Sequence, residues 1–231
     1  MMRMKHSTMN NLLAEDLLQH FRITSKVDID AYLIKDCNLQ YFELEDVDQK
    51  EAVLKKRGEG KVVFFNNKGL LDVLCYEAFI SACKRPRSFQ EGRKRCDYLL
   101  YHQESNEGVF LLNEITSAKG KIENLMKSLE HYEGGKLEKA ERQLAESLKT
   151  LMEVPSVETF INKYPKRICL VSYRVFSSQL ADINEFVKPF NRFAQIEQTA
   201  TKGNGAVLKS AEINQMGFEY RRICYPEVFT L

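Results

Sequence analysis

An α/β fold, with a mixed β-sheet flanked by helices, is what this sequence predicts, and three observations predict it. Residues 61–65 (KVVFF) and 167–173 (RICLVSY) are short continuous apolar runs, the pattern of strands buried within a sheet. Residues 95–116 read as two apolar strands around a polar turn. Residues 121–152 keep helical phase through Ile122, Leu125, Met126, Leu129, Leu137, Ala140, Leu144, Leu148 and Leu151. Strand, helix and strand in succession imply a right-handed crossover and at least one parallel pair.

The remaining elements follow in order. Residues 10–21 (NNLLAEDLLQHF) put Leu12, Leu13, Leu17 and Leu18 on one face of a short amphipathic helix. Residues 26–34 and 39–44 read as strands, with Val27, Ile29 and Tyr32 set against Asp28 and Asp30. The acidic tract 43–48 (ELEDVD) lacks the glycine of a calcium loop and reads as an exposed turn. Residues 69–84 have a helical period through Leu70, Val73, Leu74, Glu77 and Ile80, and Pro86 ends that helix. Glu77 is the oddity, a carboxylate within the apolar stripe. Gly134-Gly135 divides the long helical stretch, because paired glycines in a helix interior are costly, and Pro155 closes it. Residues 180–193 read as a helix bent or split at Pro189, and 218–224 as a closing strand. The loop at 199–205 (TATKGNG) lacks the Gly-Lys-Ser/Thr of a phosphate-binding loop.

Composition sets the outer limits. The 231 residues suffice for one sizeable core, and a net charge of +2 announces no global basic field. Basic clusters are local: Lys55-Lys56-Arg57, residues 84–87 (KRPR) and Arg93-Lys94-Arg95, each by itself a solvated surface. The last two directly precede the 95–116 hairpin. None of the six cysteines has metal-binding spacing, and several lie in apolar runs, as in a reducing compartment. The first residues lack the apolar core of a signal peptide, and no apolar run approaches the ~18 residues of a membrane span. A cytoplasmic protein with no membrane partner is the expectation. The four histidines are scattered, without HExxH spacing, and no GxSxG is present.

The chemistry concentrates in the hairpin. A turn centred on Ser105-Asn106 pairs Asp97 directly with Glu114, which puts their Cβ atoms about 4.5–5.5 Å apart. Like charges so placed are destabilising unless neutralised, and a divalent cation with carboxylate ligands is the usual remedy. Thr116 shares the strand face of Glu114, whereas His102 points to the face opposite Asp97.

The order helix with Glu77, strand with Asp97, strand with Glu114, helix, strand resembles the PD-(D/E)XK nuclease superfamily over roughly residues 69–173. That resemblance implies a restriction-endonuclease-like core over 61–231, preceded by an N-terminal extension of helix and strand over 1–60. It implies Asp97 and Glu114 as ligands of Mg²⁺ or Mn²⁺, with Glu77 as an optional third. It also implies Gln143, in KAERQL (139–144), as a polar residue facing the site from the following helix. Cys96 stands in place of the family's proline and Thr116 in place of its lysine. A hydroxyl positions water but brings no positive charge to the scissile phosphate. Lys119 or Lys121, near the start of the next helix, are the substitutes the sequence offers. The function implied is metal-dependent phosphodiester hydrolysis of nucleic acid, DNA before RNA, in antiviral defence or repair and with a possible protein partner subunit. The alternative is a catalytically silent nuclease-fold subunit that binds a partner protein or nucleic acid.

Overall fold

A computed structural model describes residues 8–24, 27–45, 54–55, 58–83, 94–119, 135–176 and 204–231. The first helix, α1, consists of α-helical ends Met9–Asn11 and Leu18–His20 around a wider π-helical segment, Leu12–Leu17. Its Leu13 and Leu17 are fully buried, as the amphipathic pattern requires. A 3₁₀ turn, Ile29–Tyr32, leads into β1 (Leu33–Cys37), so the strand expected over 26–34 begins later. Asp28 starts that turn by accepting the Asp30 amide on its side chain, at 3.1 Å. Strands β2 (Tyr41–Leu44) and β3 (Val62–Phe65) follow.

Residues 69–84 are not one helix. They form β4 (Leu71–Cys75) and then α2 (Tyr76–Ala82). All five β4 residues are buried because the strand lies inside the sheet, between β1 and β5 (Tyr98–His102). A strand covered on both faces needs no alternation, so its periodicity cannot be told from that of a buried helix.

The hairpin forms as the sequence predicts. β5 pairs antiparallel with β6 (Val109–Lys119), and Tyr98 lies opposite Asn113, Leu99 opposite Leu112 and Leu100 opposite Leu111. Next come α3 (Gly135–Met152), α4 (Pro155–Ile161) and β7 (Lys166–Phe176), the last parallel to β6. Gly135 opens α3 with a φ of 69°. The chain ends with β8 (Ala206–Leu208), α5 (Ala211–Gln215), β9 (Glu219–Cys224) and β10 (Val228–Thr230).

The fold is thus a mixed seven-stranded sheet, in the order β1-β4-β5-β6-β7-β9-β8, flanked by helices. One core cluster joins the sheet to the helices through Leu99, Phe110, Leu112 and Val171 against Leu13, Phe79, Leu144 and Ile161. The opposite sheet face carries a second cluster, in which Leu100, Leu111 and Leu170 meet Phe42, Phe64 and Phe229 of a three-stranded sheet, β10-β3-β2. That small sheet is absent from the sequence reading, since it joins chain segments more than 160 residues apart. β1 joins the large sheet and β2 the small one.

The acidic tract also differs from its expectation at its first residue. Glu43 is buried, and its two carboxylate oxygens accept the amides of Gly58 and Gly60, each at 2.8 Å. Gly60 leaves no room for a side chain, as an added Cβ would lie 2.5 Å from that of Glu43. Pro86, the cluster at 84–87, Arg93, the expected helix at 180–193 and the part of the long helical stretch from 121 to 134 lie outside the described residues.

Candidate active site

Strand alternation puts Phe110 and Leu112 on the helix-covered face of the sheet, and Glu114 and Thr116 continue that face. On β5 the same face belongs to Leu99 and Tyr101, and therefore to Asp97 just before the strand. The ladder ends at the Tyr98–Asn113 pair, and Asp97 and Glu114 are the next residues of the two chain segments. Each is 6% exposed.

The backbone turns away at Asp97, and its side chain takes over. Asp97 Oδ2 accepts the Ile115 amide at 2.6 Å, standing in for the carbonyl that a longer strand would present. The Asp97 carbonyl meanwhile accepts the amides of Tyr76 at 2.8 Å and Glu77 at 3.4 Å, which seats the first turn of α2 against it. Glu77 therefore adjoins the site through its backbone. Asp97 and Glu114 also act on a common neighbour. Burial pushes the Cys96 thiol well above its ordinary pKa, and the charges of Glu114 and Asp97 add to that rise.

Helix α3 is fastened to the segments next to the pair. Gln143 Nε2 donates to the Arg95 carbonyl at 3.0 Å, and the Cys96 amide donates to Ser147 Oγ at 2.7 Å. One helical stretch earlier, Lys136 Nζ donates to the Ser117 carbonyl at 2.8 Å, one residue beyond Thr116. Seven residues of helix span about 10 Å, which carries α3 from Ser117 of β6 to Arg95 before β5. Thr116 itself is half-buried and lies beside Tyr173 of β7.

Of the expected residues, Asp97 and Glu114 both adjoin Cys96, Thr116 follows Glu114 on its strand face, Gln143 meets Arg95 two residues before Asp97, and Glu77 meets Asp97 through its backbone. Lys119 ends β6, but its side chain and the whole of Lys121 lie outside the described residues. The lysine that sequence reasoning missed is Lys136. Its place just after the paired glycines marks a helix start, but nothing in the sequence says which strand that start would cover.

Two buried carboxylates are hard oxygen donors, the type that suits Mg²⁺ or Mn²⁺. Among the described residues no group of three or more His, Cys, Asp and Glu is arranged to hold a metal ion. The buried oxygen donors are thus a pair, and an ion held by two carboxylates keeps its other positions for water and phosphate oxygen.

His102 lies on the other sheet face and is structural. Its Nδ1 accepts the Val109 amide at 3.1 Å, which leaves the proton on Nε2, 3.1 Å from Asn66 Oδ1. Burial, with Lys68 and Lys166 nearby, holds its pKa below the usual value. No described helix is long and apolar enough to cross a membrane.

Compared with protein-family models, curated proteins and solved structures, the chain matches none.

Proposed function

We propose that this chain is a metal-dependent phosphodiester hydrolase acting on nucleic acid, DNA before RNA. The observation that carries the reading is a pair of buried carboxylates, Glu114 on β6 and Asp97 just before β5, the latter held to β6 by the amide of Ile115. The element order α2, β5, β6, α3, α4, β7 follows the helix, strand, strand, helix, strand order that the PD-(D/E)XK resemblance implies, with α4 added before the last strand. A restriction-endonuclease-like core is part of the same proposal.

In this reading Asp97 and Glu114 hold the ion, and Asp97 is kept in place by the Ile115 amide. When bound, Mg²⁺ or Mn²⁺ supplies a water of lowered pKa and offsets charge on the phosphate. Lys136, at the C-terminal end of β6, brings the positive charge that Thr116 cannot. Gln143 acts as a positioning residue, through its hold on the segment that carries Asp97.

Incubation of the protein with DNA and RNA in Mg²⁺ or Mn²⁺ tests this. Cleavage should appear with the wild type, stop with EDTA, and fall at least a hundredfold in Glu114→Ala. Thr116 favours a second reading, a nuclease-fold subunit that binds nucleic acid or a partner protein without cutting. Binding without cleavage by the wild type, in either metal, would select it.

A further inference from the structure

We propose that a cavity at the other end of β5 from Asp97 binds a small organic cation, an ammonium or guanidinium group carried on an apolar stem. The proposal stands apart from the reading of Asp97 and Glu114. Tyr101, which lines the cavity, is four residues beyond Asp97 in the chain, about 13 Å along an extended strand.

The cavity has a volume of about 790 Å³, within the range of small-molecule sites. Its floor forms where β1, β4 and β5 meet. Asp72 of β4 lies opposite Tyr101 of β5, and the β1–β4 register shifts between Ile34 and Cys37. Within that irregularity Asp36 has a φ of 54°, and its amide donates to Asp72 Oδ1 at 3.1 Å. Gln103 Nε2 donates to the same oxygen at 3.0 Å and to Asp36 Oδ1 at 2.5 Å. Asp72 is 6% exposed, yet its second oxygen, Oδ2, accepts no hydrogen bond among the described residues. On α1, Asn10 is 9% exposed. Its Oδ1 accepts the Tyr101 hydroxyl, while its Nδ2 donates to no described residue. Both side chains line the cavity, so each brings to it one polar atom that the fold leaves unsatisfied.

Charge selects the sign of the ligand. Among the described residues that line the cavity, Asp28, Asp30, Asp36 and Asp72 outnumber Lys35 and Lys163. Lys35 is taken up by Asp30 at 2.8 Å, and Lys163 lies over the Phe160 ring, 5.5 Å from its centroid. Both lysines are exposed, as are Asp28 and Asp36, whereas Asp72 is interior. A cation that reaches Asp72 Oδ2 therefore makes a charge-assisted hydrogen bond away from bulk water. The surroundings suit an organic stem. Met9, Ile29, Tyr101 and Tyr164 are buried along the cavity, and aromatic surface itself favours cations. The hydroxyls of both tyrosines are already engaged, that of Tyr164 donating to the His102 carbonyl at 2.6 Å. Asn10 Nδ2 is left to take an oxygen carried by the stem.

Isothermal titration of the full chain with tyramine and with agmatine tests the site, and para-propylphenol serves as the uncharged counterpart of tyramine. At least one of the two cations should bind, and para-propylphenol should bind more weakly than tyramine or not at all. Asp72→Asn keeps the shape and the Oδ1 acceptor but removes the charge, and should weaken cation binding about tenfold or more. Lys163→Glu, at the exposed rim, should tighten it about twofold or more at low salt. That gain cannot come from misfolding, so it decides the matter if Asp72→Asn proves unstable. Four results would each overturn the proposal: no binding of either cation by the wild type, equal binding of tyramine and para-propylphenol, wild-type affinity in a folded Asp72→Asn, or no gain in Lys163→Glu.

Discussion

A carboxylate can close a β-ladder where the backbone has already turned away, and Asp97 does so for the Ile115 amide. This gives Asp97 two separable duties, one of geometry and one of charge. Asp97→Asn keeps an acceptor oxygen of the same shape, so its unfolding free energy should stay within about 1 kcal/mol of wild type. Cleavage should nevertheless be lost. Asp97→Ala removes the acceptor as well and should cost about 1–3 kcal/mol, read by denaturant titration. Wild-type cleavage by Asp97→Asn would remove this residue from the proposed metal site. The buried His102 offers a pH prediction. Because its folded-state pKa is depressed, the unfolded chain takes up the proton first as pH falls. The contribution of this residue should be constant above about pH 6.5 and turn destabilising below it, until the lower native value is passed. His102→Gln should flatten that part of the stability–pH profile. Both the face of His102 and the hairpin register were legible in the sequence, because strand parity assigns faces once the turn is located. Glu43 was not. An acidic residue at the head of a charged tract looks solvated until the Gly58 and Gly60 amides are brought to it.

At the scale of elements, α3 is the part that turns a hairpin into a site. Its Leu137, Leu144, Leu148 and Leu151 are buried against the sheet, while its flank carries Lys136, Gln143 and Ser147 to the backbone around Asp97. Ser147 donates to the Gln143 carbonyl and accepts the Cys96 amide, so it is a relay between helix and strand. Ser147→Ala leaves a buried amide without its acceptor and should cost about 1–3 kcal/mol. It should also lower cleavage by loosening residues 95–97, a change in kcat. A Ser147→Ala protein of wild-type stability would show that the helix is held by its apolar face alone. The α3 face was readable from its leucine spacing. What its flank touches was not, since spacing fixes a direction from the helix axis but not the partner lying there. β4 shows the converse limit: a fully buried strand carries no period of its own, and only its place between β1 and β5 distinguishes it from the first turns of α2.

At the scale of the whole molecule, one seven-stranded sheet separates two cores, helices over one face and a three-stranded sheet over the other. The acids lie on the helical side. The small sheet depends on the last strand, where Phe229 is fully buried and meets Phe64 edge-on at 6.1 Å. Phe229→Ala should reduce stability by about 3–5 kcal/mol in a denaturant titration. The sequence by itself determined the α/β class, the hairpin and its register, and the sharing of one face by Asp97, Glu114 and Thr116. Those features follow from local turn chemistry and from the two-residue period of a strand. Only the tertiary structure decided that β10 pairs with β3, that Glu43 is interior, and that Lys136 meets Ser117 while Gln143 meets Arg95. Such contacts join residues distant in the chain, and they are fixed by how buried surfaces pack rather than by any repeat along it.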